Sequence, residues 1–312
     1  MDTLNRMATE LIDEAIDFAD ELTVEVHTLP GDGVVLDFGV EVPGAIEAGL
    51  LLAEIQTAGL ATVQTGVDDV AGAPLSHVEL ATDQPALALL GAGKAGWELG
   101  TEGFEGLGSG PARALVGAEE IFERIEYKEE FDFAVLALEA ATLPGEPAAK
   151  QVAERAGVPE SGVFLPTYAS ASITGSVVGA SRAAELAVYR LFELGYDPMD
   201  VLSVSGSAPI APVGESETDA MAATNDAVAY GGRVHLVVDE PFDRFGELAS
   251  TASDQYGTPF AEIFERVDYE YGALDRSLFA PATVTVDVIG GETHVLGARN
   301  ETVLAESYGV SD

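Results

Sequence analysis

The pattern of apolar and polar positions predicts helices and strands that are mixed along the whole chain. Apolar residues recur every three or four positions from Thr3 to Leu22, which is the period of an amphipathic helix. Further helices are expected at 47–55, 86–95, 151–156, 173–192, 218–230, 246–252 and 260–265. Short apolar runs predict strands at 23–27, 34–42, 61–64, 77–81, 131–138, 162–168, 201–204, 233–238, 282–288 and 293–296.

Turns rich in glycine and proline indicate which strands pair locally. The segments Pro30–Gly33 and Gly290-Gly291 each separate two strands and predict a β-hairpin, one near each end of the chain. Hairpins at both ends argue against a purely parallel sheet, so the expected fold class is α/β of the mixed α+β type. Prolines around Leu143–Glu146 indicate a boundary between two domains, 1–145 and 146–312, with terminal segments that can cross over.

The helix expected at 173–192 carries the pattern that most directly suggests chemistry. Its packing face is predicted to consist of Val177, Ala180, Ala184, Ala187 and Leu191. Arg182, Glu185 and Tyr189 fall on the opposite side, where apolar residues flank them. A charged pair in such surroundings either lines a cleft or joins two packed elements as a structural ion pair, and the spacing alone favours neither.

Acidic residues dominate the charge of the chain. Asp and Glu number 54 against 14 Lys and Arg, which gives a formal net charge of −40. Hydrophobic residues make up 47% of the sequence, so the chain can form cores and is not expected to be disordered. The acids then belong on the surface of a folded body, a pattern typical of adaptation to high salt. No basic patch could neutralise phosphates, so a nucleic-acid partner is not expected.

The absence of cysteine excludes disulfides, iron–sulfur clusters and cysteine-bound zinc. The four histidines are scattered, and no metal site is indicated, although a site built only from acids stays open. The N-terminus lacks the pattern of a signal peptide, and no apolar run is long enough to cross a bilayer. A cytoplasmic protein without a membrane partner is therefore expected.

Runs without acids mark positions that the acidic surface does not reach. In this chain they indicate either the interior or a ligand site, and runs that are small, polar and rich in glycine favour the ligand site. Lys94 stands out in one of them because the chain has only three lysines, although a solvent-facing lysine is the plain alternative. Two others, around 106–113 and 205–212, are predicted to be turns whose N–H groups could receive an anion, the first assisted by Arg113. Acid-free runs in this chain include Ser161–Ala184, Gln84–Trp97, Gly106–Ala118 and Val201–Gly214.

Seven blocks, in order over nearly the whole chain, resemble the methenyltetrahydromethanopterin cyclohydrolases of archaeal one-carbon metabolism. The blocks are PGAIEAGLLLAEIQTAGLATV (Pro43–Val63), ATDQPALALLGAGKAGW (Ala81–Trp97), GSGPARAL (Gly108–Leu115), TGSVVGASRAAELAVY (Thr174–Tyr189), GSAPIAPV (Gly206–Val213), TNDAVAYGG (Thr224–Gly232) and YGTPFAEIF (Tyr256–Phe264). Each block alone is a weak signal, but their order and spacing together are specific. The acidity of the chain then looks like a halophilic version of this enzyme.

The resemblance implies a subunit of two α/β domains with a deep pocket between them, a homo-oligomer such as a trimer, and no metal or prosthetic group. It also implies that Arg182 and Glu185, which follow Ser181 in the matching motif, line the active site. Further contacts with the pterin carrier are expected from other residues in or beside the matching blocks. These are Lys94, Ser109, Arg113, Tyr189, Ser207 and Pro209.

The implied reaction adds water to the N5,N10-methenyl bridge of the carrier and leaves a formyl group on N5. Glu185 would orient and deprotonate the water, and Arg182 would hold Glu185 ionised and in place. Two alternatives remain open from the sequence. One is the same reaction on a folate carrier, and the other is a pterin-binding protein without activity, which would not need both Arg182 and Glu185.

Overall fold

The computed structural model of the protein describes residues 2–268 and 273–310. The chain forms two compact units, the first of Met1–Thr62 and Ala86–Val178 and the second of Val63–Pro85 and Gly179–Asp312. This division differs from the boundary expected near residue 145. The reason is that a strand at 163–168 lies inside the sheet of the first unit, so the segment after residue 145 packs with the N-terminal part.

The strands of the described residues form two sheets. In chain order they are β1 (Glu25–Thr28), β2 (Val34–Gly39), β3 (Thr62–Val70), β4 (Ala73–Thr82), β5 (Trp97–Thr101), β6 (Phe104–Ser109), β7 (Ala134–Val135), β8 (Ala137–Glu139), β9 (Val163–Tyr168), β10 (Val201–Pro209), β11 (Arg233–Val238), β12 (Thr283–Val288) and β13 (Thr293–Gly297).

The helices are of three kinds. The α-helices are α1 (Leu4–Asp17), α2 (Ala19–Leu22), α3 (Ile46–Gln56), α4 (Ala112–Val116), α5 (Glu120–Arg124), α6 (Glu146–Ala156), α7 (Ile173–Ser181), α8 (Ala183–Glu193), α9 (Glu217–Asp226), α10 (Phe260–Arg266) and α11 (Glu301–Tyr308). Two π-helices occupy Ala86–Gly93 and Ala227–Gly231. Short 3-10 turns occur at Glu160–Gly162, Pro198–Asp200, Phe245–Glu247, Ser250–Ala252 and Arg276–Leu278.

The first unit is built on a mixed sheet with the strand order β1-β2-β9-β8-β6-β5, with β7 also paired to β9. β2 and β8 run parallel to β9, whereas β1, β6 and β5 add in antiparallel fashion. The predicted hairpin at Pro30–Gly33 is confirmed by the β1–β2 pairing. The core of this unit includes Trp97, Leu136, Val152 and Leu165, so the sheet packs against α6.

The second unit contains the other mixed sheet, with the order β13-β12-β11-β10-β4-β3. β11 and β12 are parallel, and β10 pairs with both β4 and β11 in antiparallel fashion. The hairpin predicted at Gly290-Gly291 joins β12 and β13 and is confirmed. A separate apolar cluster in this unit includes Tyr230, Phe260, Phe264 and Leu304. The expected mixed α/β class is thus confirmed in both units.

Two segments expected to be turns, 106–113 and 205–212, begin as strands, which end at Ser109 and Pro209. Gly106 and Gly108 lie in β6, and Gly206 and Ser207 lie in β10. The glycines are there because neighbouring groups occupy the space of a side chain: a Cβ atom at Gly108 would lie 3.0 Å from a methyl group of Leu136. Glycine in a strand marks close packing as well as a turn, which explains the error.

The helix expected at 173–192 is interrupted once. α7 ends at Ser181 and α8 begins at Ala183, because Arg182 has φ −78° and ψ −3° and its N–H bonds the carbonyl of Gly179, three residues back. The predicted packing face is correct on both sides of this junction. Its members Val177, Ala180, Ala184, Ala187 and Leu191 are all at most 1% exposed.

Other differences concern ends and helix types. The first helix is broken at Phe18, residues 86–93 form a π-helix, and 246–252 contains two 3-10 turns in place of a helix. The C-terminal helix α11 had no counterpart in the sequence prediction. No helix within the described part of the chain is long and apolar enough to cross a membrane.

Candidate active site

Arg182 and Glu185 form a close ion pair at the start of α8. The Nη2 atom of Arg182 donates to Oε1 of Glu185 at 2.7 Å. The Glu185 side chain is only 8% exposed, whereas that of Arg182 is 26% exposed. A charge-assisted hydrogen bond of this length is strong, and removing one partner would leave the other charge poorly compensated in a buried place.

The position of Glu185 in its helix favours a carboxylate. Arg182 occupies the N-cap position of α8, and Glu185 lies in the first turn. The unpaired N–H groups at a helix N-terminus carry partial positive charge, so they stabilise a negative side chain nearby. The backbone and the guanidinium group of Arg182 therefore act on Glu185 in the same direction.

Close packing against two small residues fixes the chain around the pair. A Cβ atom at Gly206 of β10 would lie 2.8 Å from the backbone N of Ala184, so β10 touches the first turn of α8. A Cβ atom at Gly179 would lie 2.8 Å from Cβ of Thr224 in α9. These contacts hold the backbone on both sides of Arg182, within the second unit.

Tyr189 follows Glu185 by one helical turn, so both side chains project from the same side of α8. Its side chain is half-buried, and its ring centre lies 6.5 Å from that of Phe192. Leu186 and Phe192 are half-buried as well. The helix therefore presents a carboxylate, a guanidinium and an aromatic ring among apolar side chains, as the sequence pattern predicted.

Lys94 belongs to a second charged cluster, in the first unit. It directly follows the first π-helix, and its Nζ atom donates to Oε2 of Glu119 at 3.2 Å and to the carbonyl of Ala95 at 3.2 Å. Arg113 in α4 grips the same carboxylate with two bonds, Nε to Oε1 at 2.7 Å and Nη2 to Oε2 at 2.8 Å. The cluster thus consists of two cations around one carboxylate.

Glu119 was missed by the sequence prediction. Burial raises the pKa of its carboxyl, but the hydrogen bonds and positive charges of Arg113 and Lys94 outweigh burial and hold that pKa below its usual value. A signal was present in the sequence, because Glu119 is the first acid after the acid-free run 106–118. Glu185 ends another such run in the same way.

The remaining predicted contacts lie in strands. Ser109 is buried at the end of β6, and its Oγ atom accepts a bond from Nε2 of Gln56 at 2.9 Å. In β10, Gly206 faces α8, so its neighbour Ser207 points to the other face of the sheet, away from Glu185. The Oγ atom of Ser207 is buried and has no hydrogen-bond partner among the described residues. Pro209 packs against Gly231 at the end of the second π-helix.

A further buried carboxylate, Asp226, lies at the end of α9 and was also not predicted as a special residue. It accepts bonds from the backbone N–H of Phe260 at 2.9 Å and from the Ser307 hydroxyl at 2.7 Å. Burial raises the pKa of Asp226 to about 7, against the smaller opposing effect of these two bonds. Among residues 2–268 and 273–310, no three His, Asp or Glu side chains are arranged to hold a metal ion.

Comparison with known proteins shows the family of the chain as a whole. The family model described as Cyclohydrolase (MCH) matches residues 3–308. The methenyltetrahydromethanopterin cyclohydrolase of Halobacterium salinarum is 57% identical over 311 residues, with 100% of both chains covered. The enzymes of the same name from Methanocella arvoryzae and Methanothermobacter marburgensis are 40% and 39% identical, with at least 99% of each chain covered. The chain therefore belongs to the cyclohydrolase (MCH) family.

Proposed function

We propose that the protein hydrolyses the N5,N10-methenyl bridge of methenyl-tetrahydromethanopterin to N5-formyl-tetrahydromethanopterin, a reversible step of one-carbon metabolism. The observation that carries this proposal is the buried Glu185 carboxylate, held at 2.7 Å by Arg182 in the first turn of α8, in a chain of this family. Full-length relatives that carry the name of this activity support the methanopterin carrier over a folate carrier.

The chemistry needs a base beside an electrophilic carbon. The methenyl bridge is a cationic carbon between two nitrogens, and water adds to it while one proton passes to a base. The adduct then collapses: its hydroxyl group loses a proton and becomes the formyl carbonyl, the bond from the carbon to N10 breaks, N10 gains a proton, and the formyl group remains on N5. Overall one water is consumed and one proton is released. Glu185 accepts the proton of the water, and its negative charge also attracts the cationic substrate.

Arg182 fixes the carboxylate in this scheme. Its bond to Oε1 sets the direction of the Glu185 side chain, and its charge stabilises the ionised form that can accept a proton. A carboxylate has about four acceptor sites on two oxygens, so one bond to Arg182 leaves acceptor capacity for a water molecule. The N-terminal turn of α8 adds to this stabilisation.

Substrate contacts are proposed for two further residues. Lys94 offers an ammonium group that hydrogen bonds an oxygen of the carrier, and Tyr189 offers a half-buried ring on the face of α8 that carries Glu185. Ser109 and Arg113 bond protein groups, so we assign them a supporting role. Ser207 and Pro209, both in β10, are proposed as further contacts with the carrier.

The activity is tested with purified protein in high salt. Methenyl-tetrahydromethanopterin and methenyl-tetrahydrofolate are added separately, and loss of the methenyl chromophore is followed. We expect rapid loss with the methanopterin substrate and little acceleration with the folate substrate. If the protein accelerates the hydrolysis of neither substrate over buffer, the proposed cyclohydrolase activity is wrong. If it prefers the folate substrate, the proposed methanopterin carrier is wrong.

The proposal extends to the state of the protein in the cell. We propose a homotrimer that needs no metal or prosthetic group, as the family resemblance implies, and a cytoplasmic protein that binds no nucleic acid, as the charge and hydropathy of the sequence predict. Sedimentation in high salt should give a mass of three times 32.4 kDa, and activity should survive treatment with chelators. A monomer, or activity lost on chelation and restored by a metal, would contradict these parts.

A further inference from the structure

Arg113 uses its whole guanidinium group inside the protein. Nη1 donates to the carbonyls of Ala92 at 3.0 Å and Gly91 at 3.4 Å, and Nη2 donates to that of Leu90 at 3.1 Å. Together with the two bonds to Glu119, these contacts occupy all five N–H donors of an arginine. The side chain is 1% exposed. Arg113 therefore holds the last turn of the first π-helix and is not available to a ligand.

The held turn leads directly to Lys94. The backbone N–H of Lys94 donates to the carbonyl of Leu89 at 2.7 Å, five residues back, which is the bond that defines a π-helix. π-Helices are uncommon and occur often at functional sites. Arg113 bonds the carbonyls of Leu90 and Gly91 at its end, and it adds a second bond to the carbonyl of Ala92, which also accepts the backbone N–H of Gly110 at 2.9 Å. Arg113 thus fixes the backbone that carries Lys94.

Glu119 fixes the side chain of Lys94. Its carboxylate lies between the guanidinium of Arg113 and the ammonium of Lys94, at 2.7 Å and 3.2 Å. Because Arg113 holds both carboxylate oxygens, Glu119 cannot turn away from Lys94 without losing two charge-assisted bonds.

Gly96 leaves room for this arrangement. A Cβ atom at position 96 would lie 3.1 Å from Oε2 of Glu119, 3.1 Å from Nζ of Lys94 and 3.5 Å from Nε of Arg113. The absence of a side chain here therefore allows the three charged groups to meet. The side chain of Lys94 as a whole is 19% exposed, so it is held in place without being fully buried.

We propose that Glu119 is a positioning residue, which together with Arg113 places the charged end of Lys94 to bind an oxygen atom of the pterin carrier. The inference rests on the proposed function for its substrate, but the placement of Lys94 can be measured without any activity. Glu119 contacts Lys94 and Arg113, and it acts on the carrier through Lys94.

The kinetic test compares Glu119→Gln with Glu123→Gln, which changes an exposed acid of the neighbouring helix α5. We expect Glu119→Gln to raise KM about tenfold, the effect of roughly 1.4 kcal/mol of binding, with kcat within about twofold of wild type. Lys94→Met should raise KM similarly, and adding Glu119→Gln to Lys94→Met should change little more. Additive effects in the double variant, or an unchanged KM in Glu119→Gln, would overturn the proposal.

Lys94 can be observed directly because the chain has only three lysines. Each variant is labelled with a limiting amount of an acylating reagent at mildly alkaline pH, and the modified lysines are quantified by mass spectrometry. Lys128 and Lys150 are exposed and serve as internal standards. Labelling of Lys94 relative to these standards should rise several-fold in Glu119→Gln, because the amine is no longer held by the Glu119 carboxylate, and equal labelling would overturn the placement.

Two outcomes separate this inference from the proposed function. If wild type has no cyclohydrolase activity but labelling of Lys94 changes in Glu119→Gln, the function fails and the positioning stands. If wild type is active but neither KM nor the labelling of Lys94 changes in Glu119→Gln, the positioning role of Glu119 is wrong and the proposed function stands. Gly96→Ala provides a second variant should Glu119→Gln unfold. The methyl group of the new alanine would lie close to both the Glu119 carboxylate and the Lys94 ammonium, so we expect the same rise in KM and in labelling of Lys94.

Discussion

Asp226 couples the stability of the second unit to pH. Its carboxyl is 1% exposed and joins the end of α9 to the first residue of α10 and to Ser307 of α11. Burial raises its pKa from 3.8 to about 7. The folded protein therefore keeps a proton on Asp226 that the unfolded chain releases near pH 4. The stabilisation linked to that proton is complete below pH 4 and is lost as the pH rises through 7.

Replacing Asp226 by Asn should remove this pH dependence. As the pH rises from about 4 to about 7, wild type should lose stability that Asp226→Asn does not lose. The free energy of unfolding of the variant minus that of wild type should therefore increase, by up to roughly 1.4 kcal/mol per pH unit. Urea unfolding of both proteins across this range, in constant high salt, measures the difference. Glu215→Gln, at an exposed acid, is the control, and a difference that does not vary with pH would contradict the assignment.

At the residue scale, the ends of acid-free runs mark both charged sites. Arg182 and Glu185 were found because an acid-free run ends at Glu185, and the structure places them at 2.7 Å. Glu119 ends the run 106–118 in the same way and was overlooked. The carbonyl partners of Arg113 were not predictable, because they lie more than 20 residues earlier in the chain and pairing over that distance leaves no local mark in the sequence.

At the element scale, α8 depends on the small residues beneath it. Gly206 of β10 touches Ala184 of α8 so closely that no side chain fits between them. Because Ala184 lies between Arg182 and Glu185 in the chain, any displacement there moves both members of the ion pair. The geometry of the Arg182–Glu185 pair therefore depends on β10, which contacts α8 through the uncharged Gly206.

Gly206→Ala should disturb both stability and activity. Its Cβ atom would lie 2.8 Å from the backbone N of Ala184 and 2.9 Å from its Cβ atom, so the helix must move. We expect a loss of about 1–3 kcal/mol in the free energy of unfolding, as for other overpacked sites, and a fall in kcat. Gly246→Ala is the matched control, because a Cβ atom there meets open space and no positive φ is involved. Equal behaviour of the two variants would show that the contact does not position α8.

The prediction of element type was correct where the periodicity was strong. It was wrong where glycine occurs in a closely packed strand, because glycine is also typical of turns. The strand at 233–238 was predicted with its correct bounds, and both hairpins were predicted at the correct turns. The segments around Gly108 and Gly206 were taken for turns, because the neighbouring groups that fill the space of their side chains come from distant parts of the chain. Only the folded structure shows that Leu136 and Ala184 occupy those spaces.

At the scale of the whole molecule, the net charge of −40 sets the conditions under which the fold is stable. Ions reduce the range of repulsion between surface charges from about 10 Å at 0.1 M to about 3 Å at 1 M salt. The cores themselves are ordinary in composition, with apolar clusters in each unit. Salt should therefore act mainly by relieving repulsion among carboxylates.

The stability of wild type should rise steeply with ionic strength. We expect the midpoint of thermal unfolding to increase between about 0.1 and about 2 M salt, with most of the change below about 1 M, where the screening length varies most. Sodium and potassium chloride should give similar curves, because screening depends on ionic strength. A midpoint that is independent of salt would contradict the interpretation of the acidic surface.

The mixed fold class was predictable for the whole molecule, whereas the division of the chain was not. Prolines near residue 145 suggested a boundary, but β9 at 163–168 pairs with β2 at 34–39, and β4 at 73–82 pairs with β10 at 201–209. Pairings between strands so distant in sequence leave no local mark on composition. The sequence therefore predicted most helices and strands, but which of them share a unit depends on strand pairing over long distances in the chain.

The most direct test of the central claim is the turnover of Glu185→Gln on methenyl-tetrahydromethanopterin in high salt. Glutamine keeps the shape of the side chain but cannot accept the proton of water, so we predict a fall in kcat of about 100-fold or more in a protein that keeps its fold. Glu193→Gln, later on the same helix, should retain turnover close to that of wild type. Near-normal turnover in a folded Glu185→Gln protein would contradict the account and leave the pair with Arg182 a structural one.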